Sequence, residues 1–395
     1  MQFLKPPILI ILAIVIAGGG VYFVLRSRGV SPVGSGKAPP VPGTPPPSGS
    51  SATPPSSALD KRTYNPNITE SADDVFQNQD DLYSYVKKFG PKKTVQHLAE
   101  LVPKYGSCHD PAHRAGRYAY ELFGDKAFQQ CSAECHSGCY HGATEAYFRD
   151  HGTANLAENL KVICSSASNP FFSHQCIHGI GHGLMAWADY GLFDALSSCD
   201  LLTQRQDSCW TGVFMENIVG ALGKEDGHFT KYLSNDPLYP CDDPKLDDKY
   251  KSACYFLQTS RMLQLVGTNW DKVSADCASA PSAYQRSCFE SMGRDVGGSY
   301  PDSAEKEIAA CASAPAGNLR IGCLIGAAQN AFWDPSGQNL AIHFCKLLTD
   351  AKEKSACYDI IFARAPDVLT SASDMKSFCA KAETDYQNRC LAYIR

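Results

Sequence analysis

Potential metal ligands recur at matching places in two successive segments of the chain. The heptapeptides CYHGATE and CIHGIGH each begin with a cysteine and carry two ligand-type residues, four apart. Residues four apart lie on one face of a helix, so both side chains of each segment would point the same way. Imidazole nitrogen and carboxylate oxygen suit zinc, copper or iron. These observations predict one bound transition-metal ion, held by His141, Glu145, His178 and His182.

A fifth ligand is expected from the preceding segment, where His113 follows Pro111. His109 lies four residues before His113, but proline favours the first position of a helix. A helix starting at Pro111 would leave His109 off the ligand face. The alternative interpretation is that these histidines form hydrogen bonds within a polar concave surface. In the third segment the first ligand is replaced by Thr211, with Glu216 nearby, so any metal chemistry belongs to the amino-terminal part.

The cysteines indicate which elements carry these residues. All 18 lie between Cys108 and Cys390, and 16 of them form pairs with 7 to 12 residues between the partners. The first members of successive pairs are 33 to 42 residues apart, most often 34, which is typical of a two-helix repeat. The pairs are Cys131 with Cys139, Cys164 with Cys176, Cys199 with Cys209, Cys241 with Cys254, Cys277 with Cys288, Cys311 with Cys323, Cys345 with Cys357, and Cys379 with Cys390.

Breaks between the paired cysteines indicate helical hairpins. Residues 302–305 read as a capping box that opens a helix ending near Cys311. Pro315 separates that helix from the next apolar segment, which carries Cys323. Two antiparallel helices joined by a short turn would bring such cysteines within disulfide reach, about 7 Å between Cα atoms. Zinc sites use tighter C-x2-4-C spacing, so we expect disulfides, which place the domain outside the cytoplasm.

Two further cysteines and a set of glycines complete the pattern. Cys108 and Cys135 remain after the eight pairs and are expected to bond to each other. In four repeats a glycine stands three residues after the second cysteine, where it would let another backbone approach closely. These glycines are Gly142, Gly179, Gly212 and Gly326. The expected fold class is all-α, a right-handed solenoid of about eight disulfide-stapled helical hairpins with a period of about 34 residues.

With this period and one cysteine pair per repeat from Cys131 to Cys390, the chain resembles the Sel1-like, cysteine-rich α/α-repeat proteins. Those proteins also staple helical hairpins of about this length. The resemblance implies a secreted or periplasmic scaffold for interactions, and it assigns no catalytic residue.

The amino-terminal part has a different composition. Residues 7–25 are almost continuously apolar, and at about 1.5 Å per residue they are long enough to cross a membrane core of roughly 30 Å. We interpret residues 1–29 as a transmembrane anchor with a short cytoplasmic end; a cleaved signal peptide is the alternative. Residues 30–75, rich in proline, glycine and serine, are interpreted as a flexible linker, and residues 76–395 as the extracytoplasmic repeat domain.

These parts together predict a single-pass membrane protein whose repeat domain binds a protein or ligand partner on the concave face of the solenoid. The alternative function is that of a metal-binding protein or metalloenzyme, with a His/Glu site in the first two repeats. A formal net charge of -5 provides no basic surface for phosphates, so binding of nucleic acid is not expected.

Overall fold

The structure, a computed structural model, describes residues 62–105, 108–132, 134–135, 138–164, 170–219, 230–301, 303–331 and 337–394. All regular secondary structure within these ranges is helical, which confirms the all-α class predicted from the cysteine pattern. The interpreted anchor, residues 1–29, and the linker up to residue 61 lie outside the described residues. Across the described part, none of the helices combines the length and the apolar character that a membrane span requires.

One set of helices, which we call the B helices, stacks side by side in chain order. From α6 onward, each B helix carries the second cysteine of a disulfide pair. The B helices are α4 (His109–Phe123), α6 (Gly138–His151), α8 (Pro170–Trp187), α10 (Gln206–Val219), α11 (Asp248–Val266), α13 (Ser282–Ser299), α15 (Asn318–Asn330), α17 (Ala351–Val368) and α19 (Thr384–Leu391).

Shorter A helices pair with the B helices to form the hairpins. They are α5 (Ala127–Gln130), α7 (Leu156–Ile163), α9 (Leu192–Cys199), α12 (Trp270–Ser279), α14 (Ala304–Cys311), α16 (Gln338–Leu347) and α18 (Ala372–Cys379). Before α4 come α1 (Gln79–Phe89), α2 (Pro91–Glu100) and α3 (Val102–Tyr105). Short 3-10 helices cover Asp73–Phe76 and Gly124–Lys126.

Disulfides join the two helices of each hairpin as the spacing predicted. The eight cysteine pairs predicted from the spacing are all bonded, and so is the pair of Cys108 with Cys135. The Cα atoms of the bonded cysteines are 5.3 to 5.8 Å apart. The fourth pair differs from the others, because Cys241 lies in a turn before α11 and not at the end of a helix. Pro237, Pro240 and Pro244 surround it, and proline lacks the amide hydrogen that a helix interior requires.

Capping side chains and buried aromatic rings explain where the helices begin and how they pack. Ser303 accepts the amide hydrogen of Lys306 at the start of α14, and Asp350 caps α17; each cap contributes on the order of 1 kcal/mol. The residue after the second cysteine is fully buried in several repeats, as at Phe289 and Tyr358. Burial of an aromatic side chain of this kind stabilises the fold by roughly 1.5–3 kcal/mol.

Residues 62–75, which the sequence assigned to the linker, pack against the first helices. The side chains of Ile68 and Val75 are buried, and the backbone amide of Asn65 donates to the Ser84 hydroxyl at 2.8 Å. The described packing therefore extends about 14 residues before the interpreted start of the repeat domain.

The row of B helices curls back on itself. Helix α17 contacts α8, and the Arg364 guanidinium lies 5.4 Å from the centroid of the Phe171 ring. Two B helices that lie far apart in the chain order of the stack are therefore neighbours in space. The right-handed solenoid itself stays a prediction.

A buried carboxyl on α14 leads to the first testable prediction. Burial raises the pKa of Glu307 from its ordinary 4.5 to about 8, so the folded protein favours the protonated form. The folded state is therefore destabilised as pH rises from about 4.5, where the unfolded chain ionises, to about 8. We expect Glu307→Gln to leave the free energy of unfolding nearly unchanged at pH 4 and to raise it by about 2–4 kcal/mol at pH 8. Urea unfolding at both pH values measures this, and an equal effect at the two would contradict it.

Candidate metal centre

Four B helices surround the candidate site, and glycines set how closely they pack. A Cβ atom added to Gly142 of α6 would lie 1.8 Å from the carbonyl oxygen of His113. One added to Gly212 of α10 would lie 1.9 Å from the carbonyl oxygen of His178. The helix pairs α4 with α6 and α8 with α10 are therefore in backbone contact, which only glycine permits. Short helix separations at these points bring the histidines of neighbouring helices together.

Five imidazole rings meet between α4, α6 and α8. Nε2 of His113 lies 3.1 Å from Nε2 of His109 and 3.1 Å from Nδ1 of His141. Nε2 of His178 lies 3.3 Å from Nε2 of His182. Three groups of three residues have ligand atoms within 4.8 Å of one another: His109 with His113 and His141, His141 with His178 and His182, and His113 with His182 and Glu216. The structure thus brings together all four histidines that the sequence singled out, and it adds His109.

The expectation that a helix starts at Pro111 was wrong. Helix α4 begins at His109, and Pro111 lies in its first turn, where a missing amide hydrogen costs no helical hydrogen bond. His109 and His113 consequently share one face, and their ring centroids are 4.6 Å apart.

Two buried carboxylates contact Nδ1 atoms of the imidazole group. Glu145, which was predicted as a ligand, accepts from Nδ1 of His113 at 2.9 Å and from Arg117 at 2.7 Å. Glu216 accepts from Nδ1 of His182 at 2.6 Å and from the Tyr190 hydroxyl at 3.1 Å. Carboxylates in this position orient metal-binding histidines and raise their basicity.

Glu216, like His109, is a residue of the candidate site that the sequence analysis named but set aside. Glu145 stands six residues after its cysteine, and Glu216 stands seven residues after Cys209. Because of this offset of one position, the two carboxylates do not align when the cysteines are aligned. A search for an acidic residue within one position of that place would have found it.

Two of the remaining three rings also contact an oxygen atom through Nδ1. Nδ1 of His109 donates to the backbone oxygen of Cys135 at 2.9 Å. Nδ1 of His178 lies 3.1 Å from the Thr211 hydroxyl oxygen. That hydroxyl gives its own hydrogen to the backbone oxygen of Ser208, so it accepts from His178. In four of the five rings the Nδ1 atom is therefore engaged, and the Nε2 atom faces the other histidines.

Burial and charge favour neutral rings beside anionic carboxylates. His141 and His182 are almost completely buried. Burial, followed by the neighbouring imidazoles, holds the pKa of His141 well below its usual range, and the same causes act on His178. Burial opposes ionisation of Glu145, but Arg117 and His113 hold its pKa well below the ordinary value. Neutral imidazole is the form that binds metal.

Of the other two ionisable groups of the site, Glu216 behaves like Glu145, whereas His113 differs from His141 and His178. Burial opposes ionisation of Glu216, but the hydrogen bond from His182 lowers its pKa. For His113, burial opposes the charged ring, yet the neighbouring Glu145 carboxylate leaves its pKa raised. The buried site therefore carries negative charge from two carboxylates, which a bound cation would neutralise together with Arg117.

A cavity of about 300 Å³ borders the centre on the side of α10 and α11. His178 belongs to both the cavity wall and the imidazole group. The wall combines aromatic, thioether and cationic side chains, among them Trp210, Met215, Lys249, Phe256 and Arg294.

Comparison with known proteins adds no relative to this description. No family model, curated protein or solved structure matches the chain. The resemblance to Sel1-like proteins stays a prediction, and the chemistry of the site must be argued from its own geometry.

Proposed function

We propose that this protein binds a transition metal at the buried histidines between α4, α6 and α8. Nitrogen ligands of this kind suit zinc, copper or iron. When bound, such a metal supplies a Lewis acid, or it activates water if a coordination position stays open. The chain supplies neutral imidazoles directed at one another and carboxylates that hold their orientation.

The arrangement of protons carries this proposal. Nδ1 of His109 and of His113 each donates to an oxygen, so a neutral ring keeps no proton on Nε2. The two Nε2 atoms are nevertheless 3.1 Å apart, which leaves lone pairs facing each other. The Nε2 atoms of His178 and His182, 3.3 Å apart, are in the same situation. In the metal-free protein His113, whose pKa is raised, supplies a hydrogen for its own pair of nitrogens when it is charged. For His178, whose pKa burial lowers, a bound cation accepts both lone pairs without requiring a charged ring.

Metal analysis of the untagged, oxidised full-length chain tests the proposal. We expect at least one equivalent of transition metal per chain after dialysis against zinc, copper or iron salts. Replacing His113 and His182 together by alanine removes one ligand from each half of the group, so stoichiometric metal should be lost. His343→Ala is the matched control, because His343 is an exposed histidine of α16 and should leave the metal content unchanged. A folded, metal-free wild-type protein would overturn the proposal.

The cavity beside His178 favours a metalloenzyme over a purely structural metal site. Structural sites are closed by protein ligands, whereas catalytic sites keep a position open to solvent or substrate. A space of about 300 Å³ next to a ligand histidine could admit a small molecule to the metal. In this proposal the cavity is the ligand-binding surface that the sequence predicted on the concave face of the solenoid.

The proposed cellular setting follows from the disulfides and from the apolar segment at residues 7–25. Nine bonded cysteine pairs persist in an oxidising compartment. We therefore propose that the helical domain lies outside the cytoplasm, tethered to the cell membrane through a single amino-terminal span.

A further inference from the structure

The imidazole group is built from a motif that occurs twice. Helix α4 carries His109 and His113, and the next helix of the stack carries Glu145. Helix α8 carries His178 and His182, and the next helix of the stack carries Glu216. In each copy the carboxylate accepts from Nδ1 of the second histidine. We call His109 and His113 the first half-site, and His178 and His182 the second half-site.

His141 lies between the half-sites and belongs to the first. Its Nδ1 atom is 3.1 Å from Nε2 of His113, so its lone pair on Nδ1 can join those of the first half-site. Its Nε2 atom is buried and has no hydrogen-bond partner among the described residues. The first half-site thus has three imidazoles within reach of one ion.

The stacking of His141 on His182 separates the two copies. Their ring centroids are 3.8 Å apart and the planes differ by 13°. A ligand nitrogen binds metal in the plane of its ring, at about 2.1 Å. An ion in the plane of one ring would lie too far from the plane of the other. His141 and His182 are therefore poorly placed to share a single ion.

We infer that the centre holds two metal ions, one bound by His109, His113 and His141, and the other by His178 and His182. The inference rests on the proposed metal binding. The 3.8 Å spacing of the stacked rings is close to the separation of about 3.5–4 Å between the ions of two-metal sites. Each half-site has its own buried carboxylate, which offsets part of the charge of its ion.

The two ions differ in the number of their imidazole ligands and in their distance from the cavity. In this assignment the first ion has three imidazole ligands and the second has two, with a carboxylate oxygen of Glu216 within 4.8 Å of a ring nitrogen of His182. Of the five rings only His178 also lines the cavity of about 300 Å³, so the second ion is the one nearer to space that a small ligand can enter. The second ion is accordingly the one that binds an exogenous anion.

Cobalt(II) titration of the metal-free full-length chain tests this inference. Cobalt(II) replaces other divalent ions in nitrogen sites, and its visible absorption reports coordination. We expect two equivalents for wild type, and one for each of the double variants His109→Ala/His113→Ala and His178→Ala/His182→Ala. Azide should shift the spectrum of wild type and of the first variant. It should leave the spectrum of the second variant unchanged, although one equivalent of cobalt remains bound.

The possible results separate the two proposals. One equivalent in wild type, lost in both variants, would overturn the two-ion centre and leave the proposed metal binding standing. No cobalt in wild type would overturn both. Circular dichroism and thermal unfolding verify that each variant is folded. Where an alanine pair fails to fold, the corresponding His→Gln pair, which keeps side-chain volume and polarity, gives the same count of bound ions.

Discussion

Replacing Gly142 by alanine is expected to destabilise the fold and to release the ion of the first half-site. The added Cβ would lie 1.8 Å from the carbonyl oxygen of His113, so α4 and α6 must move apart. Overpacking of this kind costs about 1–3 kcal/mol, more than the gain of about 0.5–1 kcal/mol in helix propensity. The same movement separates His113 from His141. Metal content and urea unfolding of the variant measure the two effects.

Gly298→Ala is the matched control for this substitution. Gly298 also lies in a B helix, α13, but a Cβ atom there meets no atom of the described residues within 4 Å, so only the gain in helix propensity remains. We expect unchanged metal content and equal or slightly higher stability. If Gly142→Ala behaved like this control, the close approach of α4 and α6 would not be what positions the centre.

Removing the disulfide between Cys108 and Cys135 should affect both stability and metal affinity. The bond closes a loop with a sequence separation of 27, for which the chain-entropy model gives about 3.5 kcal/mol. Cys135 also provides the backbone oxygen that accepts from Nδ1 of His109. Loss of such a partner behind a metal ligand typically weakens binding by about 10- to 100-fold. We expect the double variant Cys108→Ala/Cys135→Ala to show both effects in unfolding and in metal competition titrations.

Removal of the disulfide between Cys379 and Cys390 is the control that separates the effect on stability from the effect on metal affinity. Its removal opens a loop with a sequence separation of 11, worth about 3 kcal/mol in the same model. This disulfide joins α18 and α19, which are far along the stack from α4. The variant Cys379→Ala/Cys390→Ala should lose stability without losing metal affinity. An equal loss of affinity in both variants would mean that His109 does not depend on Cys135 for its orientation.

The disulfide-stapled hairpins could be predicted from sequence because cysteine pairing depends on local geometry. The two cysteines of a pair are close along the chain, and a helical hairpin brings them together whatever the rest of the molecule does. The ninth pair followed because only Cys108 and Cys135 were left. The residue after the second cysteine, buried at Phe289 and Tyr358 but exposed at Leu391, shows that a shared sequence position does not fix burial in every hairpin.

The sequence determined that His178 and His182 share a helix face, since that depends only on helical periodicity within one element. It misplaced the start of α4 and so did not predict that His109 shares a face with His113. Only the tertiary structure decided how those faces meet. The sequence assigned Glu145 to the metal, whereas its carboxylate contacts His113 and Arg117, and it set Glu216 aside, although that carboxylate holds His182. These outcomes depend on the axial shift and the separation of neighbouring helices. Backbone contacts at Gly142 and its counterparts set both quantities, and a shift of one residue along a helix turns a side chain by about 100°.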